Sequence, residues 1–149
     1  MSLLTAIQSH PAVKSITHAL VVAHSLVREH IVKAATRSSK WPGVRKAFMK
    51  QFPTCDACGG TDNLQVHHVC PFHDNPELEL HPDNLITLCM GYNKGIGECH
   101  VKIGHGSSFK FFNPNARQDA LEALANPGKF EEICKRAEMA RKPNIPGEE

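Results

Sequence analysis

Two adjacent histidines, His67 and His68, stand in the apolar segment "LQVHHV". A neutral imidazole is a good ligand for a divalent metal ion, and an unligated imidazole accepts a proton near neutral pH. The segment predicts a β-strand over residues 64–69, and successive side chains of a strand point to opposite faces. Both rings would therefore not bind one ion, which favours a division of roles between metal binding and proton transfer.

Two more histidines follow in a predicted helix. His100 comes directly after Cys99, and His105 lies five residues further on. The pattern predicts a second short strand over residues 85–88 and a short helix from about Glu98 to His105. A hairpin followed by a helix would bring a histidine from each arm towards one point, which indicates a metal site there.

The cysteines indicate a second metal site. Cys55 and Cys58 form a Cys-x2-Cys pair followed by two glycines, as a zinc knuckle requires. Cys89 and Cys99 provide two further thiols, and four thiolates complete a closed tetrahedral site for a structural Zn²⁺. Cys70 is an alternative fourth ligand.

Length and composition set the class of protein. The chain has 149 residues, about one domain, and six cysteines. No stretch reaches the roughly 18 unbroken apolar residues of a membrane span. The N-terminus lacks the basic and long apolar segments of a secretory signal, so we expect a cytoplasmic protein. In that compartment cysteines bind metals more often than they form disulfides.

Positive charge is concentrated in the first fifty residues. They hold eight Lys or Arg and one acid, a net charge of +7, whereas the whole chain carries +2. A basic half suits a polyanionic partner such as nucleic acid, although a solvated helix face gives the same pattern. The basic side chains expected to contact nucleic acid are Arg37, Lys40, Arg45, Lys46, Lys102 and Lys110.

Hydrophobic spacing divides the chain into three parts. Residues 1–36 predict an amphipathic helical extension, and residues 37–114 hold the histidines and cysteines described above. Residues 115–149 predict two helices, separated at Asn126-Pro127-Gly128, and a flexible tail. The N-terminal apolar stripe could dock on the central part, pair with a second copy in a homodimer, or carry its basic face onto DNA.

Simpler roles are expected for the remaining polar and aromatic residues. The acids of the loop between the strands could form a further metal site, but a solvated loop is the interpretation we take for Asp74, Glu77, Glu79 and Asp83. The loop histidines, His73 and His81, could provide an extra metal ligand or a phosphate contact, but we interpret them as loop histidines beside proline. His73 lies nearer the His67–His68 pair and is the stronger candidate of the two for such a contact. The phenylalanines after the predicted helix are expected in the core: Phe109, Phe111 and Phe112.

These motifs resemble the HNH endonucleases, the ββα-metal nuclease family. The matching elements are "VHHV" with Pro71 shortly after, "DNLITLC" containing Asn84, and "CH" at residues 99–100. The flanking segments "RSSKWPGVRKAF" and "CHVKIGHGSSFKFFNP" resemble a zinc-knuckle subgroup common in bacteriophage genomes. The resemblance covers residues 37–114. It implies an α+β fold with a ββα-metal core and a four-cysteine zinc knuckle, flanked by N-terminal and C-terminal α-helices.

The resemblance also implies a role for each matched residue. His68 would be the general base that activates water, and Asn84 would hold the loop between the strands and help to orient His68. His67, His100 and His105 would bind a catalytic divalent ion, Mg²⁺ or Mn²⁺, with Ni²⁺ and Zn²⁺ as alternatives. The structural zinc would be bound by Cys55, Cys58, Cys89 and Cys99.

Two spacings depart from the family pattern. Nine residues separate Cys89 from Cys99, where two are usual. His100 and His105 are at i, i+5, whereas i, i+4 aligns two ligands on an α-helix, so Gly104 would have to end or widen the helix.

The function implied is metal-dependent hydrolysis of DNA, double-stranded by expectation, by nicking or double-strand cleavage. If the protein is phage-encoded, it would act in the cytoplasm of a bacterial host. The alternative is a non-catalytic zinc module that binds nucleic acid through the basic half. A toxin-type nuclease with an immunity partner is a third class, disfavoured because the sequence shows no translocation segment.

Overall fold

The computed structural model describes residues 36–93 and 96–144. The predicted N-terminal helix and the tail after residue 144 lie outside the described residues. The described part mixes helices with short strands and begins with helix α1, Trp41–Gln51. Pro42 lies in the first turn of α1, where its missing N–H costs no helical hydrogen bond. None of the helices in this part has the length and hydropathy needed to cross a membrane.

A β-hairpin forms the centre of the described part. Strand β1, Leu64–His68, pairs antiparallel with strand β2, Leu85–Cys89. Both strands are present within one residue of their predicted ends. β2 is buried along its whole length, and its one polar side chain, Thr87, donates to the Phe52 carbonyl oxygen at 3.1 Å. The register places His67 opposite Ile86 and His68 opposite Leu85.

Two shorter antiparallel pairs follow the hairpin. Strand β3, Tyr92–Asn93, pairs with β4, Ile96–Gly97. Strand β5, Phe111–Phe112, pairs with β6, Lys142–Pro143. Of the phenylalanines expected in the core, Phe112 is buried, but the prediction for Phe109 is wrong, since its side chain is 54% exposed. Phe109 precedes β5, and its ring lies against His105 instead of the core.

Three helical segments follow the hairpin along the chain. A π-helix, His100–Gly104, is followed by α2, Ala116–Ala125, and α3, Phe130–Ala140. The predicted break between the last two helices is confirmed as a short 3₁₀ turn at Pro127–Lys129. The π-helix packs on both hairpin strands and on α2 and α3. The core between them includes Ile86, Leu88, Ile103, Ala120, Phe130 and Ile133.

A buried polar network holds the π-helix against the C-terminal helices. The Asn113 side chain donates to the Ile103 carbonyl oxygen (3.0 Å) and to the Asp119 carboxylate (2.7 Å). Arg136 of α3 donates to the same carboxylate at 2.6 Å. Because Asn113 and Asp119 are fully buried, their satisfied hydrogen bonds fix the relative positions of these segments.

Candidate metal sites and catalytic histidine

The four predicted zinc-ligand cysteines lie together. Cys55 and Cys58 lie in the turn before β1, Cys89 ends β2, and Cys99 immediately precedes the π-helix. Their sulfur atoms all lie within 4.8 Å of one another. The Cys58 and Cys89 sulfurs are 3.7 Å apart, too far for a disulfide of about 2.05 Å. Tetrahedral zinc with Zn–S bonds of about 2.3 Å separates its sulfurs by about 3.8 Å. This four-cysteine group therefore has the chemistry and spacing to hold a metal ion such as zinc.

Hydrogen bonding between thiols already favours one thiolate in the four-cysteine group. A bond from the Cys99 thiol lowers the pKa of Cys55 to about 5, although burial opposes that change. The same bond, together with burial, raises the pKa of Cys99. Burial also raises the pKa of Cys58 to about 12. A cation is needed to stabilise the remaining thiolates, as a zinc site would require.

The turn that carries the first two cysteines is attached to β2 by a reciprocal pair of hydrogen bonds. The Asp56 N–H donates to the Thr87 carbonyl oxygen, and the Thr87 N–H donates to the Asp56 carboxylate, both at 2.8 Å. Cys70, the alternative ligand, lies outside the group and accepts a hydrogen bond from Asn75 at 2.7 Å. The structure thus brings Cys89 and Cys99, not Cys70, to the knuckle.

The structure also brings three of the predicted histidines together. His67 of β1, with His100 and His105 at the two ends of the π-helix, forms a three-histidine group whose ligand atoms lie within 4.8 Å of one another. His67 Nδ1 and His100 Nε2 are 3.1 Å apart. In a tetrahedral site with metal–nitrogen bonds of about 2.0–2.1 Å, two ligand nitrogens are about 3.3 Å apart. The spacing fits a shared ion.

Hydrogen-bond partners of the second ring nitrogen differ among the three histidines. His67 Nε2 and His100 Nδ1 are buried and have no hydrogen-bond partner among the described residues. His105 Nδ1 donates to the Phe111 carbonyl oxygen at 2.7 Å, which leaves Nε2 as the electron-pair donor. His105 is therefore the ring of the three whose second nitrogen is oriented by a hydrogen bond, as is common for metal-binding histidines.

The π-helix accounts for the unusual His100–His105 spacing. The His105 N–H donates to the His100 carbonyl oxygen at 3.1 Å, an i→i+5 bond. The wider turn brings residues five apart, instead of four apart, onto one side of the helix. A Cβ at Gly104 would lie 3.0 Å from the His67 ring, so glycine permits the close approach of this helix to β1.

Burial keeps the three-histidine group in its neutral, metal-binding form. Burial, followed by the nearby His100 and His105, holds the pKa of His67 well below its usual value. Burial and His105 lower the pKa of His100 to about 4. Burial also lowers the pKa of His105, against the effect of its bond to Phe111. All three rings are thus neutral at neutral pH.

His68 has a different environment from His67. Its Nε2 lies 3.0 Å from the Glu79 carbonyl oxygen, and its ring packs 4.4 Å from the ring of Trp41 in α1. Because a carbonyl oxygen only accepts, Nε2 carries the proton and Nδ1 is the proton acceptor. Burial lowers the pKa of His68, partly offset by the bond to Glu79, so the ring is neutral near pH 7.

Asn84 joins the two ends of the loop between β1 and β2. Its side-chain oxygen accepts from the Cys70 N–H at 2.7 Å, and its amide donates to the carbonyl oxygens of Cys70 (3.0 Å) and Leu78 (3.1 Å). These three bonds hold the loop and do not involve the His68 ring. Leu78 immediately precedes Glu79, whose carbonyl oxygen lies against His68, so these bonds connect Asn84 to His68 only through the loop.

Replacing Asn84 by alanine is expected to lower the free energy of unfolding by about 1–3 kcal/mol, because partly buried backbone groups of Cys70 and Leu78 lose their partners. Urea denaturation measures this change. Asn115→Ala, at an exposed position whose side chain caps no helix, is the matched control and should change stability little. A loss below about 1 kcal/mol for Asn84→Ala would mean that these bonds contribute little.

A cavity of about 210 Å³ adjoins the histidines. His67, His68, His100 and His105 border it, together with Arg37. His73 also borders the cavity, as the sequence favoured for His73 over His81, and its Nε2 is buried without a hydrogen-bond partner in the described part. The signal for this placement in the sequence is the nearness of His73 to the His67–His68 pair.

The basic residues predicted to contact nucleic acid differ in their contacts and exposure. Arg37 borders the cavity, whereas Arg45 donates to the Gln65 side chain at 3.2 Å and Lys102 lies 3.8 Å from the Glu131 carboxylate. The other three are exposed: Lys40, Lys46 and Lys110.

Comparisons of the chain with protein-family models, curated proteins and solved structures find no match.

Proposed function

We propose that this chain is a metal-dependent HNH endonuclease that hydrolyses phosphodiester bonds in DNA. The observation that carries the proposal is a neutral imidazole, His68, beside the three-histidine group, with all four rings bordering one cavity. Hydrolysis of a phosphodiester needs an activated water and neutralisation of charge at phosphorus. A general base and a metal-binding group at one cavity meet both needs.

The arrangement of elements supports a ββα-metal core. β1 provides His67 and His68, β2 pairs with β1, and the following π-helix provides His100 and His105. In this proposal the four-cysteine group binds a structural zinc that ties the knuckle, the end of β2 and the start of the π-helix together. Closed tetrahedral sites of four cysteines are typically structural, because they leave no ligand position for substrate.

The proposed reaction is direct hydrolysis. His68 Nδ1 takes a proton from water as the water oxygen forms a bond to phosphorus and the bond from phosphorus to the leaving sugar oxygen breaks. The leaving oxygen takes a proton from solvent. When held by the three-histidine group, a divalent ion supplies Lewis-acid stabilisation of the phosphate charge. The Arg37 guanidinium, at the cavity edge and 54% exposed, would bind a phosphate oxygen of the DNA backbone.

The donor set bears on the choice of metal ion. Three imidazoles suit Zn²⁺, Ni²⁺ and similar transition ions, whereas Mg²⁺ prefers oxygen ligands. We therefore propose that transition-metal ions, including Mn²⁺, support cleavage at a lower concentration than Mg²⁺ does.

A plasmid-cleavage assay tests the proposal. We expect the purified chain to convert supercoiled plasmid to nicked or linear DNA with Mn²⁺, Ni²⁺, Zn²⁺ or Mg²⁺, and EDTA to stop the reaction. Metal analysis after EDTA should confirm that the zinc of the four-cysteine group is retained, so that loss of cleavage is assigned to the second ion. DNA binding without cleavage in any of these ions would instead favour the non-catalytic zinc module.

A further inference from the structure

One acidic residue of the loop between β1 and β2 is buried. Glu79 has a side chain 4% exposed, whereas the side chain of Asp83, in the same loop, is 91% exposed. The expectation of a solvated loop is thus wrong for Glu79. A carboxylate is rarely buried unless it is paired and hydrogen-bonded, so its partners define its role.

The Glu79 carboxylate holds the segment that leads into α1. One oxygen accepts from the Ser38 N–H at 2.9 Å, and the other lies 3.4 Å from the Arg37 guanidinium. These two residues come shortly before Trp41, the first residue of α1. The carboxylate therefore attaches the start of α1 to the loop.

Glu79 is connected to both of the contacts that hold His68, one through its backbone and one through this attachment. The Glu79 backbone oxygen accepts from His68 Nε2 at 3.0 Å, and the Trp41 ring lies 4.4 Å from the His68 ring. One residue thus fixes the His68 tautomer through its backbone and places the packing aromatic through its carboxylate.

The same carboxylate restrains the cationic side chain at the cavity edge. The Arg37 guanidinium lies 4.8 Å from the centre of the Phe72 ring and borders the cavity together with His68. With one side against an aromatic ring and one N–H near Glu79, Arg37 has fewer conformations to lose when it binds an anion.

We propose that Glu79 is a positioning residue for this site, one that fixes the His68 ring with its acceptor nitrogen Nδ1 available and holds Arg37 at the cavity edge for a phosphate of the DNA backbone. The inference rests on the proposed nuclease function. Glu79 touches neither substrate nor metal in this role; it acts through His68, Trp41 and Arg37.

Cleavage kinetics with three variants test the proposal. Glu79→Ala should lower kcat by about 10–100-fold with little change in KM, the size typical for residues that orient a reacting group. Glu79→Gln should lose less, because its amide oxygen can still accept from Ser38. Glu77→Gln, at an exposed acid of the same loop, is the matched control and should cleave at the wild-type rate.

Replacing Arg37 separates its role from that of His68. Arg37→Gln leaves the Ser38 bond to Glu79 in place, so it should raise KM for plasmid DNA by several-fold without the kcat loss of Glu79→Ala. An equal loss of kcat in Arg37→Gln would contradict the division of roles.

Nitrogen-15 NMR of the His68 ring gives a readout that loss of stability alone would not move. We expect the neutral ring of the wild type to carry its proton on Nε2. Glu79→Ala keeps the backbone carbonyl but detaches the loop from α1, so this carbonyl and Trp41 should hold the ring less firmly, and a mixture of both tautomers is expected. The signals are assigned by their absence in His68→Gln. Glu79→Gln provides the same measurement if the alanine variant does not fold.

The outcomes separate this inference from the proposed function. Wild-type kcat in Glu79→Ala, or a loss of kcat with an unchanged His68 tautomer, would overturn the positioning role. If the wild type cleaves no DNA with any ion, the nuclease proposal fails, while a changed tautomer in Glu79→Ala would still support positioning of His68 by Glu79.

Discussion

His68→Ala is expected to reduce the rate of plasmid cleavage by about 10²–10⁴-fold, the range typical for loss of a general base. Under the proposed function, the metal-binding rings cannot replace it, because His67, His100 and His105 are committed to the ion. The four-cysteine and three-histidine groups are left intact. The variant should therefore stay folded and keep its zinc, which circular dichroism and metal analysis would verify.

Two further variants make this prediction sharper. His68→Gln retains an N–H that can donate to the Glu79 carbonyl oxygen but has no basic nitrogen, so it should be inactive with less structural change than alanine causes. His81→Ala removes an exposed histidine of the loop between β1 and β2, and this variant should retain full activity. A wild-type rate in His68→Ala would exclude His68 as the base.

Cys55→Ser is expected to prevent stable folding of the described part of the chain. A structural Zn²⁺ contributes about 10–16 kcal/mol of apparent binding free energy, compared with about 5–15 kcal/mol for the net stability of a whole domain. The loss of a thiolate ligand is therefore expected to lower the free energy of unfolding by an amount comparable to its whole value. Zinc content, solubility and the thermal unfolding transition should all fall together.

Cys134→Ser provides the matched control for Cys55→Ser. Cys134 is also buried, in α3, but lies outside the four-cysteine group, and burial raises the pKa of its thiol to about 11. Serine there tests the cost of a buried hydroxyl alone and should leave the zinc content unchanged. If Cys55→Ser binds zinc and unfolds as the wild type does, the four-cysteine group does not support the fold in the way proposed.

Local patterns are sufficient for most of the regular structure. They predict β1, β2 and the pair of C-terminal helices close to their observed ends, because apolar periodicity and the Asn-Pro-Gly break are properties of short segments. They predict a helix after Cys99 but not that it is a π-helix. The π-helix packs closely on β1 at Gly104 and His67, and that contact joins residues far apart in the chain, which local patterns do not contain.

The identity of the zinc ligands cannot be predicted from local sequence alone. Cys70 and Cys89 are both candidates in the sequence. The hairpin register decides between them, because Cys89 lies opposite Leu64, at the end of β1 next to the knuckle, whereas Cys70 follows the other end of β1. A shift of register would change which thiol reaches Cys55 and Cys58.

Residue types and their spacing are enough to show which chemical groups the chain carries and on which elements they stand: adjacent imidazoles on a strand, a Cys-x2-Cys turn, and a Cys-His pair leading into a helix. Which of these groups meet depends on the folded chain. Folding brings His105 to His67 and buries Glu79 beneath Arg37 and Ser38. The physical reason is that periodicity and spacing act over a few residues. The distances between side chains far apart in the chain depend instead on strand register, on the width of the π-helix turn and on the hydrogen bonds of a long loop.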